Sequence, residues 1–229
     1  MSGRIGNYRQ IVKDGLVLDL DASNRYSYPG TGTIWTDLSG NNNNGTLVNG
    51  PTFDSGNGGS IVFDGVNNYV SCGNASNLQI TVGSASAWVK TTTPGSSYRG
   101  IIVKQFAWGL FTYDGILVTY DWSGPGLRST GINISDGTWK NIAMTFTEIT
   151  GTPLNNAILY LNGNPVLTTT IKLSTVSNVN LEIGRGGSYS VGANQLLNGS
   201  ISQALIYNRV LSATEVLANF NATKGRYGL

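Results

Sequence analysis

Histidine is absent from this sequence of 229 residues, which removes the commonest general base, every Ser-His-Asp or Cys-His arrangement and all histidine-ligated zinc. Cysteine occurs once, as Cys72, so no intrachain disulfide can form. It lies in the extended run Tyr69-Val70-Ser71-Cys72 with no basic neighbour to lower its pKa, and reads as a small buried apolar side chain rather than a nucleophile. Charge is scarce too: charged residues make up 11% of the chain and the formal net charge is +2, carried by singly scattered groups. No basic stripe for nucleic acid or an anionic membrane is visible. Long apolar runs are missing. Nothing approaches the ~20 apolar residues of a membrane span, and Met1 to Lys13 lacks the apolar stretch of a signal peptide. The expectation is a protein made in a cytoplasm, with neither nucleic acid nor membrane insertion among its interactions.

What the chain does have is a 40% share of hydrophobic residues, enough for a sizeable core, and short β-rich runs separated by Gly, Asn, Pro and Ser. Leu16-Val17-Leu18-Asp19-Leu20-Asp21 places three leucines on one face of an extended segment and Val17, Asp19 and Asp21 on the other, as in a half-buried strand. Ser60 to Phe63, Ala85 to Val89, Ile101 to Val103 and Ile116 to Tyr120 are further strand candidates. Ile142 to Phe146 and Ala157 to Leu161 alternate, and the second meets Asn162-Gly163, a pair that tolerates positive φ and so favours a tight hairpin. One helix is predicted, from Ser212: Ser212-Ala213-Thr214-Glu215 has the pattern of a capping box, and Val216, Leu217 and Phe220 follow on one apolar face. Between Tyr28 and Gly59 turn-forming residues dominate, but Ile34-Trp35 and Thr46-Leu47-Val48 supply anchors that a flexible linker would lack. A single all-β domain follows.

Leu197-Asn198-Gly199-Ser200-Ile201 running on to Ile206-Tyr207-Asn208-Arg209, with Asp136-Gly137-Thr138-Trp139, Leu161-Asn162-Gly163 and Phe63-Asp64-Gly65-Val66-Asn67-Asn68-Tyr69-Val70 upstream, resembles the laminin-G-like, concanavalin A-type lectin and glucanase superfamily. The resemblance extends from about Gly15 to Phe220. It implies a two-sheet antiparallel jelly-roll sandwich over residues 15–229, with one short C-terminal helix and residues 1–14 as an N-terminal arm. Gly15 to Ala22, Trp35 to Gly40, Asn49 to Phe53 and the closing Asn221 to Leu229 are similar to a subgroup found in tailed-phage virion proteins. That likeness implies an exposed decoration or fibre subunit on the virion, in contact with other virion proteins and assembled as a homo-oligomer.

Related glucanases cluster their carboxylates on one strand, whereas Glu148, Glu182 and Glu215 stand far apart here and Glu215 belongs to the capping box. A glycoside hydrolase needs two carboxyl groups flanking one bond, so the chain is read as non-enzymatic, with Asp19 or Asp121 the carboxylates that a hydrolase would depend on. No cofactor is required. Calcium is an option at the turn holding Asp64, Asn67 and Asn68, with Asp21 from elsewhere, because these are oxygen ligands; the same residues can equally satisfy the turn's own backbone. Sugar binding needs an aromatic face beside hydrogen-bonding groups. Trp108, Tyr113, Tyr120, Asp121 and Trp122 supply both within one stretch, and on a regular strand Tyr120 and Trp122 share a face with Asp121 opposite. Tyr26, Tyr28 and Tyr189 are weaker loop candidates. Trp35, Trp88 and Trp139 are read as core, while Trp122 is balanced between core and ligand platform. Two functions stay open at this stage: a structural virion subunit with glycan-binding capacity, and an adhesin recognising a host-surface polysaccharide.

Overall fold

The computed structural model describes residues 10–92, 97–122, 124, 126–148, 151–152, 154–173, 178–187 and 195–229. Within them the chain forms two antiparallel sheets of eight strands each. The first six strands are short: β1 (Leu16–Asp21), β2 (Ile34–Trp35), β3 (Gly45–Val48), β4 (Thr52–Asp54), β5 (Ser60–Asp64) and β6 (Tyr69–Ser71). Strands of six to nine residues follow as β7 (Gly83–Thr91), β8 (Tyr98–Lys104), β9 (Trp108–Tyr113), β10 (Ile116–Asp121) and β11 (Gly126–Asn133). The series closes with β12 (Lys140–Glu148), β13 (Asn155–Leu161), β14 (Asn164–Ile171), β15 (Leu181–Ile183) and β16 (Asn198–Tyr207), then α1 (Ala213–Thr223) and a 3-10 turn, Lys224–Tyr227.

The first sheet runs β14-β13-β12-β7-β16-β5-β4, with β1 paired to β16; the second runs β11-β10-β9-β8-β15-β6-β3-β2. β16 organises the first sheet. One of its edges pairs with β7, while the other is shared, Asn198 to Ile201 with β5 and Gln203 to Tyr207 with β1. The two inner faces meet in one apolar core that contains Trp35, Phe63, Trp108 and Phe146, all essentially inaccessible. Cys72 lies in this core, and burial pushes its thiol pKa up, away from reactivity.

The turn-rich stretch from Tyr28 to Gly59 is built into the sandwich: it holds β2, β3 and β4, two of which are sheet edges, and Trp35 and Leu47 anchor it in the core. At the hairpin between β13 and β14, Leu161 pairs with Asn164 across Asn162 (φ 50°) and Gly163 (φ 78°). Both positive φ values suit a two-residue turn whose twist matches the flanking strands.

β1 departs from the simple alternation. Its pairing with β16 slips between Leu16 and Leu18, so Val17 joins Leu18 and Leu20 in the core while Leu16 turns outward to pack with Leu205 and Tyr207. The face expected to meet solvent is covered as well, leaving Asp19 and Asp21 only 3% and 6% exposed.

The cover over that outer face comes from both ends of the described chain. Ile11 and Val12 pack on the cluster around Tyr207; Val12 N donates to Asn219 Oδ1 (2.8 Å) and Tyr207 Oη donates to Val12 O (2.9 Å). Residues 10–14 of the expected arm thus run along the domain, and residues 1–9 lie outside the described residues. Helix α1 begins with the full capping box on Ser212 and Glu215, and Arg209 forks onto the same glutamate at 3.1 and 2.6 Å. Val216 and Phe220 are buried but Leu217 is 40% exposed, so the apolar face is narrower than its pattern suggests. Beyond the helix, Tyr227 stacks on Trp88 with ring centroids 3.9 Å apart, and Trp139 and Phe220 complete the cluster.

Candidate functional site

Strand alternation decides what the second sheet shows to the outside. On β9, Trp108 and Leu110 face the core, so Phe111 and Tyr113 face out; on β10, Leu117 faces in, and Ile116, Val118 and Tyr120 face out, continued by Trp122. The register sets Phe111 opposite Val118 and Tyr113 opposite Ile116, and Tyr98 of β8 opposite Tyr113. An aromatic apron results. Trp122 meets Tyr120 edge-on at 5.3 Å and Phe111 at 5.9 Å, while Tyr98 lies 5.2 Å from Tyr120 and 4.7 Å from Tyr113.

A cleft of about 150 Å³ opens on this apron, lined by Tyr98, Phe111, Tyr120, Trp122, Gly186 and Gln195. Its second wall crosses β8 close to Gly100: a Cβ there would sit 2.2 Å from the carbonyl of Arg185, so only glycine admits the crossing chain. That wall is pinned by Gly186 N donating to Gln195 O (3.0 Å), by the bridge between Arg185 and Leu196, and by Arg99 Nη1 donating to Leu196 O (2.9 Å). None of the described lining residues is charged. Burial first, and the neighbouring Tyr120 and Tyr113 second, raise the pKa of Tyr98, which stays a neutral hydroxyl donor and acceptor at physiological pH. Half-exposed rings beside phenol and amide groups can stack on the C–H face of a sugar and bond its hydroxyls.

The structure brings Tyr120 and Trp122 together here, with Tyr113 at the apron's edge. Trp108 is not part of the cleft: its indole is fully buried and lies 5.6 Å from Phe146 in the core, so it cannot meet a glycan. Asp121 points inward, as its place between Tyr120 and Trp122 dictates. It is 2% exposed, accepts from Lys172 N (3.0 Å) and stands 3.5 Å from Arg128, which makes it a buried brace and not a ligand group. Tyr26 is exposed on its own at 87%, Tyr28 is buried, and Tyr189 lies outside the described residues. Trp35 packs in the core, and Trp88 and Trp139 pack under the helix. Tyr98, Phe111, Gly186 and Gln195 were not singled out from sequence. For Phe111 the signal was available, since it shares the outward phase of Tyr113; for the others it required the register of β8 and the path of the 184–187 segment.

The oxygen-rich turn is engaged with itself. Asp64 Oδ1 accepts from the backbone N–H groups of Val66 (2.8 Å), Asn67 (3.2 Å) and Asn68 (3.3 Å), and Asn68 Oδ1 accepts from Asp64 N (3.2 Å). Burial acts upward on the Asp64 carboxyl, but these donors outweigh it and hold its pKa below the usual range. Asp21 does not converge on this turn. Asp64 pairs with Asn198 and Asp21 with Gln203 along β16, a separation of roughly 16 Å at strand rise, and Asp21 is paired to Arg226 at 2.9 Å. Among the described residues no group of three or more His, Cys, Asp or Glu side chains is placed to hold a metal. No described helix is long and apolar enough to cross a membrane.

Two antiparallel sheets with an aromatic cleft on one outer face define a lectin-like β-sandwich. The chain belongs to the concanavalin A-like lectin/glucanases superfamily, whose family model matches residues 64–217; β1 to β4 and most of β5 precede the matched segment and complete both sheets. No curated protein matches the chain. Solved structures share the fold. The binding domain of Paraclostridial Mosquitocidal Protein 1 is similar with a TM-score of 0.69 and 21% identity, covering 92% of this chain and 52% of that one. Domain 4 of AbnA, an extracellular arabinanase from Geobacillus stearothermophilus in complex with arabinotriose, gives 0.67 and 18%, over 91% of this chain and 98% of that one. The Trypanosoma rangeli sialidase gives 0.66 and 17%, over 93% and 33%. The chain therefore spans about half of the first structure and a third of the sialidase.

Proposed function

We propose that the protein is a non-enzymatic carbohydrate-binding sandwich that takes a glycan into the cleft of Tyr98, Phe111, Tyr120 and Trp122. The observation that carries this reading is the cleft itself, where aromatic rings, two phenols and an amide converge and no described lining residue is charged. Support against hydrolysis comes from the carboxylates. Asp121 braces the core, Glu215 caps the helix and Glu182 is buried beside Arg185 at 3.5 Å, so none forms a pair across the cleft, as glycoside hydrolysis requires. Among the similar folds, binding domains of toxins and the arabinotriose-bound domain fit the same reading.

The setting we propose is an exposed decoration or fibre subunit of a tailed-phage particle, present in several symmetric copies, with the cleft directed at a host-surface polysaccharide. It rests on the motif likeness at Gly15 to Ala22, Trp35 to Gly40, Asn49 to Phe53 and Asn221 to Leu229. Binding to an array of bacterial polysaccharides tests the cleft. Trp122→Ala, which removes a half-exposed ring, is expected to weaken selective binding by ~10-fold or more with the melting temperature little changed. Equal binding by the variant would sink the assignment. Gold-labelled antibody against the protein, applied to intact particles of a phage that encodes it, tests the setting; unlabelled particles would reject it.

A further inference from the structure

The outer face of the first sheet carries a second concavity. It measures about 340 Å³ and lies between residues 10–13, β1, β16 and the 3-10 turn after α1; Asp19, Asp21, Gln203, Lys13 and Arg226 line it, with Ile11 and Leu38 as apolar sides. From the geometry we infer that this cleft is a second binding site, independent of the aromatic one, for a single sugar unit or similar compact neutral polyol.

One side chain in it lacks the partners that burial demands. Gln203 is 4% exposed, yet its amide has no hydrogen bond to any described residue and keeps accessible surface in the cleft. Asp19 beside it is 3% exposed; its Oδ2 accepts from Lys13 Nζ (3.2 Å), while its Oδ1 is closed off from the cleft surface. A buried polar group left unsatisfied is costly, so a ligand that pairs with the Gln203 amide recovers what the fold gives up. The register sets the two side by side, since Asp21 lies opposite Gln203 and Asp19 opposite Leu205 on the same face. Burial, opposed by Lys13, also raises the Asp19 pKa, as expected of a carboxylate short of donors.

Charge selects the ligand class. Asp19 is paired with Lys13, and Asp21 with Arg226 at 2.9 Å, so the cleft is internally neutral and calls for no counter-ion. An amide that both donates and accepts, beside a carboxylate oxygen that only accepts, matches hydroxyl groups, which do both. The volume is at the lower end of ligand clefts, which run from about 300 to 1,000 Å³, and suits one ring rather than a chain.

The test is backbone amide NMR of the whole chain titrated with methyl glycosides of neutral hexoses and pentoses at millimolar concentration. Saturable shifts are expected at Asp19, Asp21, Gln203 and Arg226, kept in Trp122→Ala and weakened at least ~10-fold in Gln203→Met and in Asp19→Asn. Either variant suffices if the other does not fold. The inference is overturned if no glycoside shifts these amides saturably, if the shifts persist in both folded variants, or if only calcium or ammonium ions produce them.

Discussion

Asp121 and Trp122 are neighbours in sequence and do opposite work, one inside the sandwich and one on its surface. Replacing Asp121 with Ala leaves Lys172 N without its acceptor and Arg128 without its counter-charge, though Arg128 keeps Thr170 O and Leu127 O, in a site that is 1% exposed on the aspartate side. A loss of about 2–3 kcal/mol follows, below the cost for a wholly buried pair because Arg128 reaches solvent. Urea unfolding checks it, and glycan affinity should be unchanged where the variant remains folded. Glu215 gives the acid response. Arg209 first, and the backbone N–H of Ser212 second, hold its pKa at about 2 against an ordinary 4.5. The folded state therefore binds fewer protons than the unfolded one between those values, so this stabilisation is full above about pH 4.5 and fades as pH falls toward 2. Glu215→Gln should lie below the wild type in stability at neutral pH and converge with it near pH 2; parallel curves across that range would refute the coupling. At this scale the sequence was readable where alternation holds. Tyr120, Asp121 and Trp122 fall on the faces their spacing requires, whereas Trp108 was misplaced because the alternation that turns Tyr113 outward on β9 turns Trp108, five residues earlier, inward.

Elements were legible in proportion to how local their signals are. The capping box of α1 and the Asn162-Gly163 hairpin are written in four and two residues and occur as read. β1 was only half legible, since its register slip against β16 and the pairing of Asp21 with Arg226 depend on residues from 203 onward, far off in sequence. The hairpin and the helix also touch, because a Cβ on Gly163 would lie 2.8 Å from Leu217 Cδ1, at a φ of 78°. Gly163→Ala is expected to cost about 1–2 kcal/mol from backbone strain. Leu217 is half-exposed and can move aside, so Leu217→Ala should not rescue the variant; thermal unfolding of the single and double variants decides between strain and contact.

On the scale of the molecule, the last turn acts as a clasp. Tyr227 stacks on Trp88, its hydroxyl donates to Ser202 Oγ at 2.8 Å, and Arg226 holds Asp21. Ending the chain at Thr223 would expose the Trp88 and Trp139 rings and strand a buried carboxylate, a loss of about 4–6 kcal/mol. Near-UV circular dichroism and a urea midpoint measure it, and an unchanged midpoint would show the clasp to be ornamental. Nothing in the residues Lys224 to Leu229 alone announces this role; it arises from where β7 and β16 place their outward side chains.

The central place of β16 has a consequence for synthesis. Its partners β1, β5 and β7 are all translated earlier, β1 by some 180 residues, and among the described residues β1 pairs with no other strand. During translation the nascent chain carries three strand edges that nothing covers until residues 198–207 leave the ribosome. Long-range closure of this kind is slow, and open edges in the meantime invite pairing with other chains. Arrival of that single strand seals all three edges at once, so a ribosome that stalls before it releases a sticky fragment rather than a partly working domain.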